Sequence, residues 1–155
     1  MEGRLSEMSQ NYRGIDPDAI EKTIVTFDFD DTLTRPNWNP KYQLFEPSDR
    51  PNHETFDRLR EFHDRGYEIR IVTARFRPQE VWDFVKEHHL PISEVHCTEG
   101  ELKGKTLLEI GSELHFDDWE EELLYNRLLS IPTILVCYRF DSSQNRDICE
   151  FEEFR

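Results

Sequence analysis

Long apolar runs are missing from this chain. No stretch approaches the roughly 20 residues of a membrane span, and the first twenty residues, with Glu2, Arg4, Glu7 and Asn11, hold no apolar signal segment. A cytoplasmic protein without membrane contact is the expectation. Cysteine is scarce: Cys97, Cys137 and Cys149 are odd in number, lack the paired spacing of a thiolate metal site, and include two, Cys97 and Cys137, within apolar runs. They read as reduced thiols that pack as small hydrophobes. Positive charge is also short. Lys and Arg number 19 against 33 Asp and Glu, a formal charge of -14, which repels phosphate backbones and anionic lipid unless a local cation reverses the field. Generic coating of nucleic acid is thereby disfavoured. Internal repeats and low-complexity tracts are absent, and His53, His63, His88, His89, His96 and His115 show no metal-ligand spacing and take no catalytic role.

What remains is material for one core. At 155 residues, 36% hydrophobic and 12% aromatic, the chain suffices for one compact domain and is too short for two ordinary ones. A polar leader over residues 1–20 precedes a core over 21–140, and residues 141–155 read as a loop plus a peripheral element. Within the core, strand and helix patterns alternate. Strands are expected at Thr23–Asp28, Tyr67–Thr73, Val95–Cys97, Leu114–Phe116 and Thr133–Tyr138, where β-branched and aromatic residues concentrate. Helices are expected from Asn52, an N-cap, to Gly66; from Pro78 through Leu90; around Leu107 to Gly111; and from Trp119 through Leu128. Asn37 to Pro51, rich in Pro, Asn and aromatics, reads as an ordered covering loop. Such alternation implies an α/β fold: a three-layer, Rossmann-like domain with a five-stranded parallel sheet and helices on both faces.

In such folds the ligand crevice lies at the carboxyl ends of the strands, and here those ends carry chemistry. The first expected strand stops at Asp28-Phe29-Asp30-Asp31-Thr32, the second at Thr73-Ala74-Arg75, the third leads to Lys103 and Lys105, and the fourth stops at Asp117-Asp118. Three carboxylates ending a buried strand are too costly to leave unpaired, so a cation or full solvation must meet them.

These four segments resemble, in order, the four motifs of the haloacid dehalogenase (HAD) superfamily, over roughly Thr23 to Tyr138. Asp28, Asp30 and Thr32 match its Asp-x-Asp-x-Thr motif, Thr73 the second, Lys103 or Lys105 the third, and Asp117-Asp118 the fourth. The resemblance implies a HAD-like phosphatase in which Asp28 attacks phosphorus to form an aspartyl-phosphate. Asp30 would protonate the leaving alkoxide, then deprotonate the attacking water. Thr73 would hold a phosphoryl oxygen, and the lysine, with Lys103 preferred, would neutralise nucleophile and phosphoryl group. Hard oxygen donors suit Mg²⁺, so Asp28, Asp117 and the Asp30 carbonyl form the implied first shell, with Asp118 helping through water. Arg75 and Arg77 are candidates to grip a substrate phosphate or carboxylate, or else solvated surface. Asp31 stands where many members have glycine.

Neither Thr34–Glu68 nor Arg75–Val95 has room for a cap domain, so the implied site is open unless oligomerisation covers it. The implied partner is a small phosphomonoester or nucleotide. A polynucleotide-end phosphatase is the alternative, with Trp38, Tyr42 and Phe45 either stacking on a base or stapling their loop down. A non-catalytic metal- or phosphate-binding interaction domain, suggested by the acidic surface and polar tail, is the third reading, and taken singly Asp30, Asp31, Thr73 and Asp117-Asp118 also suit turns, strand ends and caps.

Overall fold

Ile24–Phe27 forms β1, buried along its whole length, as its run of β-branched and aromatic residues requires. The computed structural model describes residues 22–153, so the expected leader lies outside the described residues. Beyond β1 come a hairpin of β2 (Asn37–Asn39) and β3 (Leu44–Glu46), then α1 (His53–Asp64), β4 (Glu68–Thr73), α2 (Gln79–Glu87), β5 (Glu94–Cys97) and α3 (Gly104–Ile110). β6 (Ser112–Asp117), α4 (Glu120–Leu128), β7 (Thr133–Asp141) and β8 (Arg146–Glu153) complete the described order. Local signals explain the helix ends. Asn52 caps α1 by accepting from the Thr55 amide, and α3 stops at Gly111, whose φ of 76° is left-handed.

The central sheet has the order β5-β4-β1-β6-β7-β8. The first five strands pair in parallel, and β8 returns antiparallel to β7. This corrects the five-stranded expectation: the segment read as loop plus peripheral element is a sixth strand. Cys149 is buried within it, and Phe151 meets Phe116 edge to face at 6.2 Å between centroids. Interspersed acidic residues hid its alternation. The covering loop is likewise more regular than expected. In the hairpin, Trp38 stacks on Phe140 at 4.8 Å and 3°, while Phe45 lies 5.0 Å from Trp38 and 6.0 Å from Tyr138.

Crossovers build outward from β1 to β4 and β5, then begin again on the other side with β6 and β7. The strand order therefore reverses between β1 and β6, the point at which ligands bind in open sheets of this kind, at the carboxyl edge. The two faces of the sheet differ in kind. Val25 and Phe27 of β1 and Phe116 of β6 join α1 and α2 residues Phe56, Leu59, Val81, Phe84 and Val85 in the larger core. Phe27 stacks on Phe116 at 4.5 Å. A smaller cluster of Val72, Leu107 and Ile131 lies with α3 and Leu129. Since side chains alternate along a strand, the residues between those aromatics, Thr26, Asp28, His115 and Asp117, share the other face, and all are buried.

Candidate active site

The end of β1, the entry to α3 and the end of β6 bring charged side chains together. Asp28 follows β1 directly, and its amide donates to the Phe116 carbonyl at 2.8 Å, tying the loop to β6. Lys103 Nζ lies 2.9 Å from Asp28 Oδ1 and 2.6 Å from Asp117 Oδ2, with all three residues buried. Asp118, half-buried, completes a triad in which Asp28, Asp117 and Asp118 each offer a carboxylate oxygen within 4.8 Å of the others. Thr73 is fully buried, and its Oγ1 accepts from the Arg75 amide at 3.3 Å.

Spacing alone left two lysines open; packing separates them. The Lys103 amide donates to Glu122 Oε2 at 3.0 Å, and Gly104 presses against α4 so closely that a β-carbon there would sit 2.6 Å from Tyr125 Cε1 and Leu129 Cδ1. Only glycine permits that approach. The α3 entry is thereby clamped to α4 with Lys103 buried and Lys105 exposed.

The electrostatics follow from three carboxylates sharing one buried ammonium. Burial and then the charge of Asp117 push the Asp28 carboxyl up, with Lys103 pulling part of the way back. Burial also opposes ionisation of Asp117, but the hydrogen bond from His115 and the charge of Lys103 outweigh it and hold that carboxyl low. Lys103, despite burial, is raised by Asp28 and Asp117 and stays charged. Asp118 takes the residual strain. Burial, then the charge of Asp28, push its carboxyl up to about 10, so it keeps a proton at neutral pH and shares a hydrogen bond with Asp28. The three carboxylates lie close enough together to hold a metal ion between them, and hard oxygen donors suit a divalent ion such as Mg²⁺.

Asp30 lies apart from this buried group. Its side chain is 52% exposed, and Arg75 grips both its oxygens, Nε to Oδ2 at 2.9 Å and Nη2 to Oδ1 at 2.8 Å. Arg75 also reaches Glu80 at 2.7 Å and lies 5.0 Å over the Phe29 ring. Arg77 is exposed. Asp31 adopts φ of 58°, the left-handed conformation that favours glycine and that Asp tolerates. Its Oδ1 is buried without a hydrogen-bond partner. Burial, then Asp30 and Asp28, raise its carboxyl. The loop around it is tied down from two sides: Tyr138 Oη donates to the Asp31 carbonyl, and Asn52 Nδ2 donates to the Thr32 carbonyl and to Tyr138 Oη, each at 3.1 Å.

Three contributors escaped the reading of the sequence. Glu122 and Tyr138 carry no motif, and each acts on a site segment distant in the chain. His115 carried no ligand spacing, yet its Nε2 lies 2.8 Å from Asp117 Oδ2. The usable signal was its alternation with Asp117 on one face of β6. Trp38 and Phe45 give their rings to β7, whereas Tyr42 is 63% exposed. Among the described residues no helix is long and apolar enough to cross a membrane. No model of a known protein family matches the chain, and no curated protein matches it either.

Proposed function

We propose that this chain is a Mg²⁺-dependent phosphomonoester hydrolase of the HAD type, working through an aspartyl-phosphate on Asp28. The observation that carries the proposal is the buried Lys103 ammonium between Asp28 and Asp117, with Asp118 alongside, at the point where the strand order reverses. Asp28, Asp117 and Asp118, with the Asp30 carbonyl as the resemblance implies, would hold the ion. When bound, it supplies the positive charge that lets a carboxylate approach a phosphate.

The chain's own residues account for the remaining chemistry. An Asp28 carboxylate oxygen attacks phosphorus while the ester P–O bond breaks, and the departing alkoxide takes the proton of the Asp30 carboxyl. A water then attacks the phosphorus of the aspartyl-phosphate and gives its proton to Asp30. The P–O bond to Asp28 breaks, releasing phosphate and restoring the carboxylate. Lys103 balances charge on Asp28 throughout, and Thr73 Oγ1 offers a hydrogen bond to a phosphoryl oxygen. Asp30 must leave the Arg75 fork to reach the leaving group, and Glu80 keeps hold of the guanidinium when it does. The substrate class is a small phosphomonoester or nucleotide. A charge of -14 opposes a long polyanion.

Turnover of an aryl phosphate and of a nucleotide and sugar-phosphate panel, with and without Mg²⁺, tests the proposal. Hydrolysis that needs the metal and disappears in Asp28→Asn is expected. Metal-independent activity that survives Asp28→Asn would sink it.

A further inference from the structure

Beneath the carboxylates, one face of the β1–β6 pair carries an unbroken polar thread. His115 is wholly buried and uses both ring nitrogens: Nε2 lies 2.8 Å from Asp117 Oδ2, and Nδ1 lies 2.7 Å from Thr26 Oγ1. Thr26 Oγ1 in turn lies 2.8 Å from Ser112 Oγ. The direction of the thread follows from what each group can donate. A carboxylate only accepts, so the Nε2 proton points at Asp117. In the neutral ring Nδ1 then accepts from the Thr26 hydroxyl, whose competing contact to the Leu114 carbonyl is longer, at 3.4 Å. Having one proton, Thr26 then faces Ser112 as an acceptor, and the Ser112 hydroxyl also lies 3.1 Å from the Leu114 carbonyl.

Two other donors reach that carboxylate. Lys103 shares Oδ2 at 2.6 Å, and the Trp119 amide meets Oδ1 at 3.1 Å. Lys103 divides its ammonium between Asp28 and Asp117, whereas the Nε2 proton of His115 serves Asp117 alone. We propose that His115, in a tautomer fixed by Thr26, is a positioning residue for the cation: it locks the Asp117 carboxylate in the orientation that faces Asp28 and Asp118. The inference rests on the cation reading of the carboxylate triad. It assigns to a buried histidine a role in ion affinity, where a merely structural histidine would affect folding alone. Donor bonds to ligating groups of this kind govern metal affinity by about 10- to 100-fold.

Isothermal titration of Mg²⁺ and Mn²⁺ into the full chain, with thermal melts of the metal-free proteins, provides the test. His115→Phe is expected to weaken both ions by about 10- to 100-fold. His115→Gln, whose amide nitrogen reaches the position of Nε2, keeps most of the affinity, and Thr26→Val, which frees the tautomer, loses part of it. Wild-type affinity in His115→Phe, or equal losses in the Phe and Gln variants, overturns the inference while leaving the enzyme reading intact. A wild-type protein that binds neither ion removes the cation reading and the inference together. Should His115→Phe fail to fold, Thr26→Val decides, and unchanged affinity there overturns the proposal.

Discussion

Lys103 Nζ sits 2.9 Å from Asp28 Oδ1, while Lys105, two residues later, is exposed. Lys103→Met is therefore expected to lower kcat/KM by about 100- to 1,000-fold, the usual cost of one removed donor at a reacting oxyanion. Lys105→Met should stay within about 0.5 kcal/mol, roughly a factor of two. Steady-state kinetics of the two variants side by side check this, and equal losses would reject the assignment.

The raised Asp118 carboxyl would make the proposed ion binding pH-dependent. Its value is about 10 in the folded protein against an ordinary 3.8, so without a cation the folded state binds more protons than the unfolded chain between those limits. The stability it contributes is present in full below the lower limit and is lost as pH rises toward the upper. A cation replaces the proton, so Mg²⁺ affinity should climb with pH across the same window, by up to about tenfold per unit. Titrations at about pH 6, 7 and 8 in two buffers of different ionisation enthalpy would count the released proton. Affinity independent of pH contradicts the protonation of Asp118.

Gly104→Ala forces a β-carbon to within 2.6 Å of Tyr125 and Leu129. A destabilisation of about 1–3 kcal/mol is expected from overpacking, read as a lower urea midpoint. Lys103 should shift with the helix entry, so activity falls beyond what stability explains.

Asp31→Gly removes a residue held at φ of 58° together with a carboxylate whose Oδ1 has no partner. The variant is expected to gain about 1 kcal/mol of stability at neutral pH, because left-handed backbone costs a side chain that much and glycine nothing. Thermal melts measure the gain. KM for a phosphomonoester should fall with the loss of a nearby negative charge.

Tyr138→Phe leaves the Asp31 carbonyl without its donor and costs Asn52 one acceptor. A loss of about 1–3 kcal/mol is expected for buried groups left unsatisfied, and amide hydrogen exchange should quicken across Asp30–Thr34. Protection unchanged in that loop would show that α1, through Asn52, restrains it alone.

How far the sequence could be read depended on where each element's partners lie. β1, β4, β6 and β7 stood out because interior parallel strands are buried and read as apolar runs, whereas β5, at the other edge, was legible only as the short run Val95–Cys97. β8 is an edge strand whose charges mask its alternation. The strand-end rule located the carboxylates, since it concerns backbone topology alone. It could not tell Lys103 from Lys105, because the direction of that side chain is decided by Gly104 against Tyr125 and by Glu122. Nor could it foresee Asp30 in the Arg75 fork, a pairing across 45 positions of chain. His115 left no spacing signal of its own, because it touches the Asp117 carboxylate instead of standing in the carboxylate triad.

The alternation along β1 and β6 carries a further consequence for folding. Phe27 and Phe116 stack on one face, while Asp28 and Asp117 occupy the other. A slip of one residue in either strand would exchange the faces, driving a carboxylate into the aromatic core and a phenyl ring against the Lys103 ammonium. Both errors are penalised at once, so the acidic residues act as a ratchet on strand register. The same charges proposed to bind the ion also proofread how the two strands meet.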